Sequence, residues 1–184
     1  MVEKHKKLTG QKVVLREKRI TDAVNDYEWR CDPELSRFDA VSPLYLSYQE
    51  YLLYYAEQLR YPKRGRRWFA IDTIDGKHIG NCMYYDIDED RKQAKLGIII
   101  GDRKYWDKGY GTDAVNVLLT HIFDETDMER VYLDTLEWNI RAQRCFQKCG
   151  FVICGLVSKE ENNFVIMELQ RSWLKSTKGN TEVV

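Results

Sequence analysis

One stretch constrains the fold of this 184-residue chain more than any other. It reads Ile98-Ile99-Ile100-Gly101-Asp102-Arg103-Lys104-Tyr105-Trp106-Asp107-Lys108-Gly109-Tyr110-Gly111-Thr112-Asp113-Ala114. An apolar run, a polar loop and a G-x-G turn lead into a helical pattern, so the order is strand, loop, helix. The strand, residues 94–100, is apolar on both faces near its end and is expected to be central and covered. The helix, residues 111–123, gathers Ala114, Val115, Leu118, Leu119, Ile122 and Phe123 on one broad face. Glycines let a backbone approach a bulky anion, and the first helical N–H groups have no partner within the helix. The segment is therefore a candidate phosphate cradle, with a plain strand–helix turn as the alternative. It lacks the G-K-[ST] ending of a P-loop, and Ala114 stands where a dinucleotide fingerprint needs its third glycine.

The rest of the chain supplies the partners such a unit needs. Strands are expected over residues 12–16, 68–71, 78–85, 131–136, 151–157 and 164–169. Thr21 is expected to cap a helix that stops at Asp32-Pro33, and Ser47 with Glu50 forms a capping box ahead of a helix to about residue 59. Residues 140–149 repeat the helical stripe, and Gly150 sits at its C-terminal cap. No repeat or linker interrupts the pattern. The fold class is α/β or α+β: one mixed sheet with helices on both faces. A single domain is expected over residues 11–174, between a flexible N-terminus (1–10) and a polar tail (175–184).

Charge and composition remove several functions. Lys+Arg and Asp+Glu number 29 each, so no global field steers the chain to nucleic acid or an anionic membrane. The basic run at residues 60–67 reads as a solvated charge run. No apolar stretch approaches the ~20 residues of a membrane-spanning helix, and Met1-Val2-Glu3-Lys4-His5-Lys6-Lys7 leads into no signal-peptide core. A cytoplasmic protein is expected. The five cysteines are odd in number and lack C-x-x-C spacing, which suits reduced thiols, and the three histidines lie far apart, so no metal is expected.

A second segment adds specificity: Asn139-Ile140-Arg141-Ala142-Gln143-Arg144-Cys145-Phe146-Gln147-Lys148-Cys149-Gly150-Phe151. Together the two segments resemble the GNAT superfamily of N-acetyltransferases. The likeness is closest to the branch of the ribosomal-protein alanine acetyltransferases and spermidine acetyltransferase. That branch reads Y-W-G-K-G-Y-G/A-T-E-A and then N-x-x-A-x-x-x-Y-x-K-x-G-F. The Ile79-Gly80 and Leu96-Gly97 pairs also fit.

The resemblance implies a mixed, mostly antiparallel, twisted sheet splayed between its fourth and fifth strands, with acetyl-CoA in the V. The pyrophosphate would lie on the backbone of Lys108, Gly109, Tyr110, Gly111 and Thr112. Ile98, Ile99 and Ile100 would pair with the pantetheine arm, with Asn139 on its other side. Trp106, Asp107, Ala142, Arg144 and Phe146 complete the implied cosubstrate site, and Arg103, Lys104 and Lys108 are candidates to face phosphate. The acceptor would be a primary amine of a small molecule or a protein N-terminus, and relatives commonly form homodimers. The acceptor side is implied at residues 37–45, with Tyr45, Tyr48, Tyr51, Tyr54 and Tyr55 as candidate aromatic contacts.

Two positions depart from the branch pattern. Phe146 replaces the usual proton-donating Tyr, and Lys95 stands where Glu is frequent. Candidate acids are then Tyr110 first, with Tyr84, Tyr85, Tyr132, Cys145 and Cys149 behind it. Glu137 is the candidate base, with Asp86 and Asp134 behind it. N–H donors for the oxyanion are expected around Ile99 and Ile100. The alternative reading is an acyl-CoA-binding module with weak or no transferase activity.

Overall fold

The computed structural model describes residues 8–178. Its strands are β1 (Leu8–Thr9), β2 (Val13–Glu17), β3 (Arg66–Thr73), β4 (His78–Asp88), β5 (Gln93–Ile100), β6 (Arg130–Leu136), β7 (Val152–Lys159) and β8 (Asn162–Gln170). They form one sheet in the order β1-β2-β3-β4-β5-β6-β8-β7. Every neighbouring pair is antiparallel except β5 and β6, which run parallel. The helices are α1 (Ala23–Cys31), α2 (Pro33–Phe38), α3 (Tyr48–Arg60), α4 (Tyr110–Glu125), α5 (Ile140–Lys148) and α6 (Arg171–Lys178).

Strand alternation sorts the side chains onto two covered faces. On one, Val13, Leu15, Ile71, Tyr84 and Leu96 meet the apolar stripe of α4, centred on Val115, Leu118 and Ile122. On the other, Trp68 packs with Ala23 of α1 and with Tyr51 and Tyr55 of α3. α3 starts as its capping box dictates: the Ser47 N–H donates to Glu50 Oε2 at 2.9 Å, and the Glu50 N–H donates to Ser47 Oγ at 3.3 Å. Among the described residues no helix is long and apolar enough to cross a membrane.

The sheet opens where β5 meets β6. The two pair only through Gln93, Ala94 and Lys95 against Arg130, Val131 and Tyr132. Beyond Lys95, β5 keeps its pairing with β4 alone, and β6 continues with β8 alone. The strand expected to be covered therefore borders a gap, and Ile98, Ile99 and Ile100 are only half-buried.

Four local features differ from expectation. Thr21 does not cap α1: it lies within a 3-10 turn, Ile20–Asp22, and α1 starts at Ala23 with Asp22 before it. Leu8 and Thr9, within the expected flexible N-terminus, pair with Leu15 and Val14; residues 1–7 lie outside the described residues. α6 runs to Lys178, into the expected tail, and residues 179–184 lie outside the described residues. Asp32-Pro33 does not merely end α1. The Asp32 carboxylate accepts the N–H groups of Glu34 and Leu35 at 2.9 and 3.0 Å, and Pro33 opens α2, a combination suited to a helix start.

Candidate functional site

The turn into α4 is built to leave backbone amides free. Gly109 caps the helix at φ +83°, a left-handed conformation that favours glycine. The first helical bond runs from the Asp113 N–H to the Gly109 carbonyl at 3.0 Å, so the amides just before it have no intrahelical partner. The Asp113 carboxylate points the opposite way and accepts the N–H groups of Gln11, Lys12 and Val13, pinning α4 to β2. The Trp106 indole N–H donates to the Ile100 carbonyl at 2.6 Å and folds the loop over the end of β5. Gly101 is needed at that bend, because a Cβ there would overlap the Trp29 ring at 2.0 Å.

A cavity of about 500 Å³ opens between this turn, the free end of β5 and α5. Most of the anticipated cosubstrate residues meet on its wall: Ile98, Ile99, Ile100, Trp106, Asp107, Gly109, Gly111, Thr112, Asn139, Ala142, Arg144 and Phe146. Lys104, Lys108 and Tyr110 are not on it. Lys104 is exposed, and the Lys108 ammonium donates to the Lys104 carbonyl at 2.8 Å. Arg103 is also diverted, because Asp32 and Glu34 each hold its guanidinium at 2.8 Å. The cations on the wall come instead from α5, as Arg141, Arg144 and Lys148. Arg141 lies 3.5 Å over the Trp106 ring and 4.9 Å from the Phe38 ring. Sequence reasoning missed Arg141 and Lys148, although the i, i+3, i+7 spacing of Arg141, Arg144 and Lys148 was the available signal; Phe38, expected on the acceptor side, lines this cavity too.

Peptide alternation settles which amides of β5 face the gap. The Gly101 N–H donates to the Ile79 carbonyl of β4, whereas the Ile100 carbonyl faces away and takes the Trp106 N–H. In an antiparallel ladder these directions alternate. The N–H groups of Ile98 and Ile100 therefore point into the gap, and that of Ile99 points at β4, opposite Asn81. The oxyanion expectation at Ile99 shifts to Ile98 for this reason.

A second cavity, about 620 Å³, lies on the other face of the sheet and shares Phe38, Asp39, Ile98, Ile99, Asn139, Ala142 and Phe146 with the first. The two meet at the gap. Tyr51, Tyr54 and Tyr55, the candidate acceptor contacts, line this second cavity together with Trp68 and Tyr85. Tyr45 and Tyr48 do not; Tyr45 is 89% exposed. Below this cavity is a buried polar network. Asp26 receives the Asn81 amide at 2.7 Å and the Lys18 ammonium at 2.7 Å. Burial pushes the Lys18 pKa down against the pull of Asp26.

The candidate acids and bases mostly fall elsewhere. Phe146 occupies the junction of the cavities, buried, with its ring edge-on to Phe151. Tyr110 turns away from both cavities, packs against Tyr105 at 4.9 Å and carries the Lys12 ammonium over its ring. Glu137 is exposed, lines neither cavity and is held by the Asn163 amide at 3.1 Å. Neither side chain lines a cavity, because each follows its own element outward, Tyr110 on the β2 side of α4 and Glu137 beyond the end of β6. Tyr84 is buried against Phe69 and His121, Tyr132 lies under Arg130, and Asp86 is exposed. Asp134 lines the second cavity but is clamped between Lys95 and Lys159, whose hydrogen bonds hold its pKa down against burial. Tyr85 also lines it, and burial raises its pKa. Cys145 lies on the first cavity wall, 3.4 Å from Thr112 Oγ1. A hydrogen bond from Cys149, chiefly, lowers the Cys145 pKa to about 7, and Cys149 itself is pushed up.

Comparison with known proteins decides the family. The GNAT acetyltransferase domain model matches residues 12–152. The chain belongs to the GNAT acetyltransferases. An uncharacterised N-acetyltransferase, p20, of Bacillus licheniformis is 24% identical over 155 residues, covering 84% of this chain and 86% of that protein. The spermine/spermidine N(1)-acetyltransferase of Bacillus subtilis is 29% identical over 100 residues, covering 52% of this chain and 66% of the relative. The crystal structure of spermidine N-acetyltransferase from Vibrio cholerae, in complex with CoA and spermine, superimposes with a TM-score of 0.76 at 20% identity, over 87% of this chain and 96% of that one. An aminoglycoside acetyltransferase in complex with coenzyme A gives 0.75 at 20% identity, over 90% and 99%. The eight-stranded, mostly antiparallel sheet with its helices is the GNAT fold.

Proposed function

We propose that this acetyl-CoA-dependent N-acetyltransferase joins its two substrates through the gap in the sheet, with acetyl-CoA in the β5–α4–α5 cavity and a small primary amine in the opposite one. The observation that carries the reading is the loss of β5–β6 pairing after Lys95, which leaves strand amides unpartnered beside a cavity closed by a helix N-terminus. The pyrophosphate takes the α4 amides, with Arg141, Arg144 and Lys148 as its counter-charges. The pantetheine arm takes the peptide groups of Ile98 and the N–H of Ile100, whose carbonyl already holds the Trp106 indole.

The amine attacks the thioester carbonyl, and the oxyanion of the tetrahedral intermediate is met by backbone N–H at the gap. The C–S bond breaks and CoA leaves as thiolate without help from residue 146, since a phenyl ring donates no proton and a free thiol pKa is about 8.5, while the proton shed by the attacking nitrogen passes to water. The acceptor must arrive as a neutral amine, against a lysine-like pKa of about 10.4. Glu137 and Tyr110 have no part in this scheme. A cytoplasmic setting is supported by free thiols at Cys31, Cys82, Cys145, Cys149 and Cys154. Homodimer formation is supported by exposed apolar side chains of the edge strand β7, Val152, Ile153 and Leu156.

Calorimetric titration of acetyl-CoA into the reduced protein tests the reading, followed by mass detection of acetylated amines. Micromolar binding with product formation supports it. A folded protein that does not bind at millimolar acetyl-CoA would sink it.

A further inference from the structure

We infer that the acceptor is an amine that also carries a carboxylate beside an apolar or aromatic body, that is, an amino acid and not a polycation. The inference rests on the acetyl-transfer reading above and concerns the second cavity alone. Its wall holds three carboxylates, and each already faces a cation. Asp26 pairs with Lys18 at 2.7 Å, Asp134 with Lys95 and Lys159, and Asp39 with Arg30 at 4.0 Å. A ligand with several ammonium groups would have to displace these partners or lie against them, and like charges at close range are unfavourable.

The unmatched charge on this wall is positive. Arg66 opens β3, inside the basic run that the sequence suggests is solvated. Strand alternation turns its side chain the same way as Trp68, into the cavity. Its guanidinium lies 4.8 Å from the Trp68 ring centroid. Its Nε is buried and has no hydrogen-bond partner, and it makes no ion pair among the described residues. An Arg fork seated over an indole and lacking a carboxylate is poised for a planar anion, which it binds through paired N–H bonds. Around it stand Tyr51, Tyr55, Tyr85 and Met83, surfaces for an apolar body.

Paired substrates that differ by one carboxylate test this: L-phenylalanine against phenethylamine and L-tyrosine against tyramine, with spermidine and kanamycin as polycations. The expected kcat/KM is at least about tenfold higher for the carboxylated member of each pair, the low end of a charged hydrogen bond. Arg66→Ala brings that ratio to about one through KM, and Arg66→Lys restores part of it, while acetyl-CoA affinity stays unchanged in both. Equal or faster turnover of the amines, of spermidine or of kanamycin overturns the inference, as does an undiminished ratio in Arg66→Ala. Acetyl-CoA binding without turnover of either amino acid also overturns it and leaves the transferase reading standing. Loss of acetyl-CoA binding in the wild-type protein removes that reading itself.

Discussion

Phe146 sits where the two cavities join, so its substitution reads the chemistry directly. General acids typically contribute about 10²–10⁴-fold, and a thiolate needs less help than most leaving groups. Phe146→Tyr is expected to raise kcat about tenfold with acetyl-CoA affinity unchanged, checked by steady-state turnover beside calorimetric binding. An unchanged kcat would show that proton delivery to sulfur does not limit the rate. Cys145 gives a second prediction at this scale. With its pKa lowered to about 7, its alkylation by iodoacetamide should rise with pH around a midpoint near 7 and be suppressed by CoA, because it lines the cosubstrate cavity. Cys149, pushed up by the same hydrogen bond and by burial, should stay unmodified. Peptide mass mapping after limited labelling distinguishes the two. Equal labelling, or no protection by CoA, would contradict the assignment.

The α4 turn and the free end of β5 together make the cavity, and here sequence and structure can be compared element by element. Helical spacing fixed α4 and α5, because their apolar stripes are long and regular, and the G-x-G turn marked where α4 begins. What the residues could not reveal was direction in space. A triple isoleucine looks like a covered strand whether its neighbour is another strand or a ligand cavity, and only the pairing register shows that β6 leaves at Lys95. Asp32-Pro33 likewise serves as a stop or a start; α2 forms because the Asp32 carboxylate reaches two amides beyond it. Arg103, Lys104 and Lys108 were plausible phosphate partners by proximity in sequence, yet carboxylates and a carbonyl claim Arg103 and Lys108. The element-scale prediction concerns Gly109, at φ +83°. An alanine there costs about 1–2 kcal/mol in the left-handed conformation, and relief of that strain turns the amides of the first turn. Gly109→Ala should therefore weaken acetyl-CoA binding about tenfold or more while the far-UV circular dichroism stays unchanged. Wild-type affinity in the variant would show that these amides do not hold the cosubstrate.

Across the whole molecule, the acid side of the stability curve should be governed first by two histidines. Burial lowers the His78 pKa below 6.5, with Lys18 adding to the effect and Asp26 and Asp22 opposing it. Burial also lowers that of His121, with Arg67 adding and Glu125 and Asp124 opposing. In the unfolded chain both imidazoles bind a proton near pH 6.5; in the folded chain they bind it only at lower pH. Between those values the unfolded state holds more protons, so stability rises with pH. The melting temperature should thus fall from about pH 6.5 downward. Asp22 and Asp134 behave differently. Burial raises both pKa values, but hydrogen bonds from Arg16 and from Lys159 with Lys95 more than reverse it. Their stabilisation is complete above about pH 4 and is lost only as pH falls through their lowered values. The early decline is therefore a histidine effect, and it can be divided. His121 lies edge-on to Phe69 at 5.5 Å, and its buried Nδ1 has no hydrogen-bond partner, so Phe fits the site without orphaning that contact. Melts of His121→Phe at pH 5, 6 and 7 should show a shallower slope than the wild type, the remaining slope belonging to His78. A slope equal to the wild type would place the effect on His78 alone, and a wild-type curve flat down to pH 5 would contradict both shifts.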